Sequence, residues 1–218
     1  MTMSAQVQIL GPTFSTFVRS VMLCCVEKGI SYEAKFEVDG TAITMKSEEH
    51  YAFHPFGRVP VLLHDGRQLF ETATICRYLE EVFTGPELQP ENAHLRALVD
   101  QWAAALSIYA NDAIVRNYLL EFVFPKGENG EIRMDKVTEA EPDLINTLTL
   151  LTAQLGHNDY ICGNQYSYAD AILTPMLDYL EQLPQGKALL GNDTPLALYL
   201  ERMRNRPSAK DVLGPMAR

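Results

Sequence analysis

The chain has 218 residues, 47% of them hydrophobic and 21% charged, which suffices for one large domain or two small ones with sizeable cores. A formal net charge of -10 with scattered basic residues disfavours a phosphate-binding face, so neither nucleic acid nor anionic lipid is an expected partner. The opening MTMSAQVQIL has neither the basic start nor the apolar stretch of a secretory signal. No apolar run approaches the roughly 18 residues of a membrane span, and a cytoplasmic location is expected.

VQIL (7 to 10) reads as a short apolar strand. The loop GPTFSTFVR (11 to 19) leads into a helix from Ser15 to Gly29, with Val18, Met22, Cys25 and Val26 near one face and Gly29 as its stop. Ser15 there is either a plain N-cap or a hydroxyl donating to an anionic ligand at the helix N-terminus. SYEAKFEV (31 to 38) alternates enough for a second strand, so strand, helix and strand form a βαβ unit with a parallel pair. A helix is expected over about 42 to 51. HYAFH (50 to 54), at its end, places His50 and His54 at i,i+4, but Pro55 follows and no third ligand is in view, so no metal is expected.

VPVLLHDGRQLFETATI (59 to 75) is a β-hairpin turning at Asp65-Gly66, followed by a helix through Phe83. Pro60 either begins the first strand or follows a cis bond, which would turn the N–H and C=O of Val59 out toward an extended ligand. Thr72 either caps its own helix or, with that helix's free N–H groups, binds a carboxylate. Glu71 beside it could then hold an ammonium group, and the two together would grip the amino-acid end of a peptide-like ligand.

TGPELQPEN (84 to 92) is a linker, and no strand pattern follows it. Beyond it LRALVDQWAAALSIYANDAIVRNYLLEF has helical periodicity, FPKGENGE (124 to 131) is a loop, and further helices are expected near 133 to 155, 167 to 182 and 193 to 204. Ser167-x-x-Asp170 fits a capping box and is read as a folding element. Four cysteines, at 24, 25, 76 and 162, form no C-x-x-C pair and are read as buried small hydrophobes. The fold class is therefore α/β followed by all-α, in the order βαβ-α-ββα and then helices, with domains at 1-84 and 91-218.

This order, HPFGRVPVL with its hairpin and FETATI, and GNQYSYADAILTPML (163 to 177) together resemble the glutathione transferase family over essentially the whole chain. S-x-x-x-R from Ser15 to Arg19 resembles the serine-type theta and phi classes, and the chain looks like a bacterial member of that type. The resemblance implies a thioredoxin-like N-terminal domain that binds glutathione as co-substrate, without a metal. It implies that Val59 pairs with the cysteinyl part through its backbone, presented by a cis Pro60, and that Glu71 and Thr72 anchor the γ-glutamyl end. Lys46 would reach the glycine carboxylate, and Arg58 would join the glutathione site where the family often has Gln or Lys. Ser15 would stabilise the thiolate, with Thr13 and Thr16 as possible substitutes.

A small hydrophobic electrophile would lie against Phe14 and the Tyr109, Ala113 and Arg116 face of the long helix. The family reading carries detoxification chemistry and a homodimer with it. Two alternatives keep the fold: a non-catalytic binding or assembly module, or a glutathione-dependent peroxidase, isomerase or dehalogenase.

Overall fold

The computed structural model describes residues 6–215. Strand β1 (Val7–Leu10) pairs in parallel with β2 (Tyr32–Lys35), and α1 (Thr16–Lys28) is the crossover between them. The expected strand over 31 to 38 is broken at Phe36. Its end, β3 (Glu37–Val38), folds back on β4 (Thr41–Ala42) through Asp39-Gly40, both at positive φ (49° and 77°). Asp-Gly is a tight hairpin signal, and it displaces the helix expected from 42. That helix, α2 (Glu48–Phe53), begins only after Ser47, whose hydroxyl accepts the His50 N–H at 3.2 Å.

β5 (Val61–His64) and β6 (Arg67–Phe70) form the hairpin read from the sequence, turning at Asp65-Gly66, and α3 (Thr72–Val82) follows. β5 lies antiparallel to β1, so the sheet order is β2-β1-β5-β6. Helix α1 packs against α3 on one side and α7 of the helical region on the other. Being covered on both sides, it buries Val18, Val21 and Met22 together with Leu23, Cys24 and Cys25. Cys24, Cys25 and Cys76 are fully buried, and burial pushes the thiols of Cys24 and Cys25 far up.

The linker is pinned rather than loose. Lys28, buried at the end of α1, donates to Glu80 Oε2 (2.7 Å) and to the Pro86 carbonyl (3.2 Å). Gly85 lies so close to α1 that a Cβ there would sit 2.5 Å from the Lys28 carbonyl oxygen. After it come α4 (Ala93–Ala105), capped by Asn92, then a π-helical stretch over Leu106–Leu119, and α5 (Leu120–Val123), in one continuous rod. Next are α6 (Met134–Leu155), α7 (Tyr168–Gln182), α8 (Gly186–Leu190), α9 (Pro195–Arg204) and α10 (Pro207–Val212). The short α8 and α10, five and six residues long, were not expected because neither has room to show a period.

Two polar clusters hold this assembly. Asp170, fully buried, accepts from the Ser167 and Ile161 N–H groups (2.9 Å each), from the Ser167 hydroxyl (2.9 Å) and from the Tyr199 hydroxyl (3.0 Å). The expected capping box therefore also ties α7 to α9. Arg206, at the start of α10, forks onto Glu27 of α1 at 2.7 and 2.6 Å and stacks 4.0 Å over the Tyr166 ring. Burial would raise the Glu27 carboxyl, but Arg206 and Ser208 outweigh it and hold the group below the usual carboxylate range.

Candidate functional site

A cavity of about 700 Å³ opens between the β1–α1 loop, the turns before β5 and α3, and the π-helical part of the long rod. Its first wall carries Pro12 and the run Phe14 to Phe17, then His54, Phe56, Arg58, Val59 and Pro60, then Glu71 and Thr72.

Ser15 occupies the N-cap position of α1 with extended backbone (φ -66°, ψ 131°), yet its side chain makes no capping bond. Its hydroxyl is without a partner among the described residues and lines the cavity beside the N-terminal turn of α1. Thr16, the first helical residue, is buried and also lines it, whereas Thr13 is exposed and lies outside.

The loop is braced from behind. Arg19, itself buried, donates Nε to the Thr13 carbonyl (3.1 Å) and Nη1 to the Gly214 carbonyl (3.2 Å), and lies 4.6 Å over the Tyr179 ring. The Tyr179 hydroxyl donates to the Phe14 carbonyl at 2.8 Å. At the loop's start Gly11 has φ 147°, and a Cβ there would stand 2.6 Å from Val18 Cγ2.

The Val59–Pro60 peptide is cis. Val59 lies two residues before the start of β5, and its N–H and C=O have no partner among the described residues. His50 secures the segment leading to it. The Lys46 N–H donates to Nδ1 (2.9 Å), which leaves Nε2–H to donate to the Arg58 carbonyl (2.9 Å). Lys46, at φ 63°, is exposed and stands outside the cavity lining, whereas Arg58 is part of it.

His54 lines the cavity and accepts the Phe56 N–H on Nδ1 (3.3 Å). Burial lowers its pKa by more than Glu71 raises it, so the ring is neutral at pH 7. Both histidines of HYAFH are thus occupied by backbone groups, and among the described residues no cluster of three or more His, Cys, Asp or Glu could hold a metal.

Glu71 sits in the left-handed region (φ 72°) as the N-cap of α3 and makes no side-chain cap bond. This turn brings the Glu71 and Thr72 side chains to the cavity together. Thr72 is only 5% exposed, and its hydroxyl has no partner among the described residues.

The second wall comes from the rod. Ser107, Asn111, Val115 and Leu119, at steps of four, form a stripe along the cavity, joined by Ile108, Arg116, Leu120, Val123 and Phe124. Tyr109 and Ala113 stand two positions off that stripe and outside the lining: Tyr109 is 73% exposed, and Ala113 is buried elsewhere. Of the residues read as facing an electrophile, Phe14 and Arg116 line the cavity. Asn111 and Tyr179 were not singled out from the sequence, and His54 was weighed only as a metal ligand. A stripe of four-residue steps through Ser107 would have found Asn111, whereas nothing local marks Tyr179.

Residues 14–82 match the family model for the glutathione S-transferase N-terminal domain, and residues 134–202 the one for the glutathione S-transferase C-terminal domain. Over 207 residues the chain is 30% identical to glutathione S-transferase F10 of Arabidopsis thaliana, covering 94% of each. It is 29% identical to the probable glutathione S-transferase GSTF1 of Oryza sativa subsp. japonica, covering 97% of each. Among solved structures, glutathione transferase F7 from Populus trichocarpa is 26% identical, with coverage of 94% and 97% and a TM-score of 0.82. The theta-class glutathione S-transferase of Xanthomonas axonopodis pv. citri, solved with glutathione bound, is 23% identical and shares the fold, with coverage of 98% and 100% and a TM-score of 0.84.

Proposed function

The chain belongs to the glutathione S-transferase family, and from that premise we propose that it ionises the thiol of glutathione at Ser15 and directs the thiolate onto a small hydrophobic electrophile. One observation carries the reading. The Ser15 and Thr72 hydroxyls and the Val59 backbone groups all lack partners among the described residues, and all three residues line one cavity with Glu71. Polar groups left unpaired and converging on one cavity are what a ligand site consists of.

In this reading Val59 pairs with the cysteinyl unit through its N–H and C=O, in the manner of an added strand. Thr72 and the N–H groups of α3 take the γ-glutamyl carboxylate, and Glu71 takes its ammonium group. Arg58, and Lys46 from outside the lining, meet the glycine carboxylate. The thiol then lies at the N-terminus of α1, where the Ser15 hydroxyl donates to sulfur. A free cysteine thiol has a pKa of about 8.5. Lowering it by about two units takes about 2.7 kcal/mol of preferential stabilisation of the anion. One charge-assisted hydrogen bond and a helix N-terminus together supply most of that.

The electrophile occupies the remaining cavity, between Phe14 and the stripe from Ser107 to Arg116, so catalysis is ionisation plus proximity. Tyr109 and Ala113, outside the lining, are left for packing and for the surface where a second copy would sit in a homodimer. A cytoplasmic setting suits four free cysteines of which three are fully buried.

The test is the thiolate absorbance of bound glutathione against pH, in the wild type and in Ser15→Ala. A midpoint well below the free value, returning toward it in Ser15→Ala together with a fall in turnover of roughly a hundredfold at pH 6.5, is expected. A shift that survives the substitution transfers the role to Thr16 or to backbone N–H groups. Bound glutathione with no shift in the wild type makes the chain a binding module instead.

A further inference from the structure

His50 joins two stretches of chain that the sequence keeps apart. Its ring is 1% exposed and stands edge-on to Phe36, with centroids 5.1 Å apart. Nδ1 accepts the Lys46 N–H and Nε2–H donates to the Arg58 carbonyl, both at 2.9 Å. The first bond belongs to the helix start. His50 is the third residue of α2, its own N–H goes to the Ser47 hydroxyl (3.2 Å), and its side chain reaches back to the turn in front of that cap. A cap needs nothing more. The second bond, to a carbonyl beyond the end of α2, does no capping. It ties the turn at Lys46 to the segment that leads into Val59.

The two residues so tied are both cations. Lys46 is held in the left-handed region (φ 63°), a conformation that a residue with a side chain keeps only where its surroundings impose it. Neither Lys46 nor Arg58 has an ion pair among the described residues, in a chain of net charge -10. Arg58 lines the cavity and Lys46 stands outside the lining. Two unpaired cations whose backbones are pinned to one ring at the cavity's edge make a receptor for an anion.

We propose that His50 is a positioning residue for the glycyl end of the co-substrate: it fixes the Lys46 turn and Arg58 relative to each other as one carboxylate clamp, and so sets a preference for the tripeptide glutathione over the dipeptide γ-glutamylcysteine. This rests on the assignment of the cavity to glutathione. The dipeptide's terminal carboxylate falls one residue short, about 3.5 Å of extended chain. Two cations on loose segments could follow it inward, whereas a pair pinned by one ring cannot. His50 itself is buried away from the ligand, so its contribution is backbone order already in place before binding.

The experiment measures the affinity of S-methylglutathione and of S-methyl-γ-glutamylcysteine by calorimetry, in the wild type, His50→Phe and His50→Gln. The S-methyl group removes thiol ionisation, so the readout is independent of Ser15 and of any electrophile. The wild type should bind the tripeptide at least about tenfold more tightly than the dipeptide. Phe fills the place of the ring and makes neither bond. In His50→Phe the tripeptide should weaken roughly tenfold and the dipeptide by less than about twofold. Gln carries an acceptor and a donor on one amide, so His50→Gln should restore most of the preference. If His50→Phe does not fold, His50→Asn carries the same contrast, because its shorter amide can serve Lys46 but not reach Arg58.

Equal weakening of both ligands in His50→Phe, or of neither, overturns the role of His50, and so does a wild type that binds the two alike. A preference lost as fully in His50→Gln as in His50→Phe also overturns it, since ring packing and not the two bonds would then set the clamp. Failure of the wild type to bind S-methylglutathione strikes the glutathione site itself, and so separates the two failures.

Discussion

The two walls of the cavity are put together on opposite plans. On the first, polar groups are left open: the hydroxyls of Ser15 and Thr72, and the N–H and C=O of Val59, have no partner among the described residues. Two of them are held by groups behind them, Val59 through the His50 brace on Arg58 and the Ser15 loop through Arg19 and Tyr179. On the second wall polar groups are closed off locally within the helix, Ser107 to Ala103 and Arg116 to Asp112, with Asn111 as the exception. A wall of open, braced groups suits a ligand that never changes; a wall of apolar side chains with one open amide suits a ligand defined mostly by shape. Substitutions on the first wall should therefore act on glutathione and its thiol, and those on the second on the choice of electrophile.

The largest effect should come from a change that touches both walls equally. Asp170 anchors α7, whose Tyr179 braces the first wall and whose body packs on the rod that forms the second. Asp170→Ala strands the Ser167 and Ile161 N–H groups and the Tyr199 hydroxyl in a fully buried site. A loss of about 3–5 kcal/mol in unfolding free energy is expected, read from denaturant midpoints. The fraction that remains folded at low temperature should keep the wild-type preference between electrophiles. A changed preference in that fraction would mean that the walls do not share one rigid support.

The contrast between the walls also explains what could be read from the sequence. The first wall is made of short-range features: a Gly-Pro loop ahead of a helix, Val59-Pro60 at a strand's mouth, Asp65-Gly66 at the hairpin turn, and Glu71-Thr72 at a helix start. Each constrains its own backbone within a few residues, so the sequence offers it as a candidate, and the family resemblance chose between the open readings. Asp39-Gly40 is equally local, and the same rule would have placed the β3–β4 turn there instead of a helix.

The second wall has no such punctuation. Along a helix a polar residue such as Asn111 looks like solvent exposure, and only the packing of α6 and α7 around the rod decides that it faces a cavity. Long-range braces are hidden for the same reason. Arg19 was legible as part of S-x-x-x-R, but its bond to the Gly214 carbonyl spans 195 positions. The π-helical geometry of Leu106–Leu119 likewise left no local mark.

Tyr179→Phe sharpens the comparison by removing one bond that crosses between the regions. The ring stays beneath Arg19, while the Phe14 carbonyl loses its donor and the Ser15 loop one of its supports. One hydrogen bond is worth about 1 kcal/mol, so a fall of about fivefold in kcat is expected. The thiolate midpoint should rise by a few tenths of a unit, with KM for glutathione unchanged. A residue acting only on stability would leave that midpoint fixed, and an unmoved midpoint would release Tyr179 from the first wall.

Arg116→Ala should do least, and for that reason it tests the description of the second wall most directly. The guanidinium is 42% exposed and its partner Asp112 is 49% exposed, so the pair contributes little to either stability or local charge. Turnover of neutral electrophiles should change by less than about twofold, because a cation already paired with Asp112 has little left to offer a neutral substrate. A selective loss for a carboxylate-bearing electrophile would show that Arg116 exchanges Asp112 for the ligand. The second wall would then recognise charge as well as shape, and Asn111 would cease to be its one open polar group.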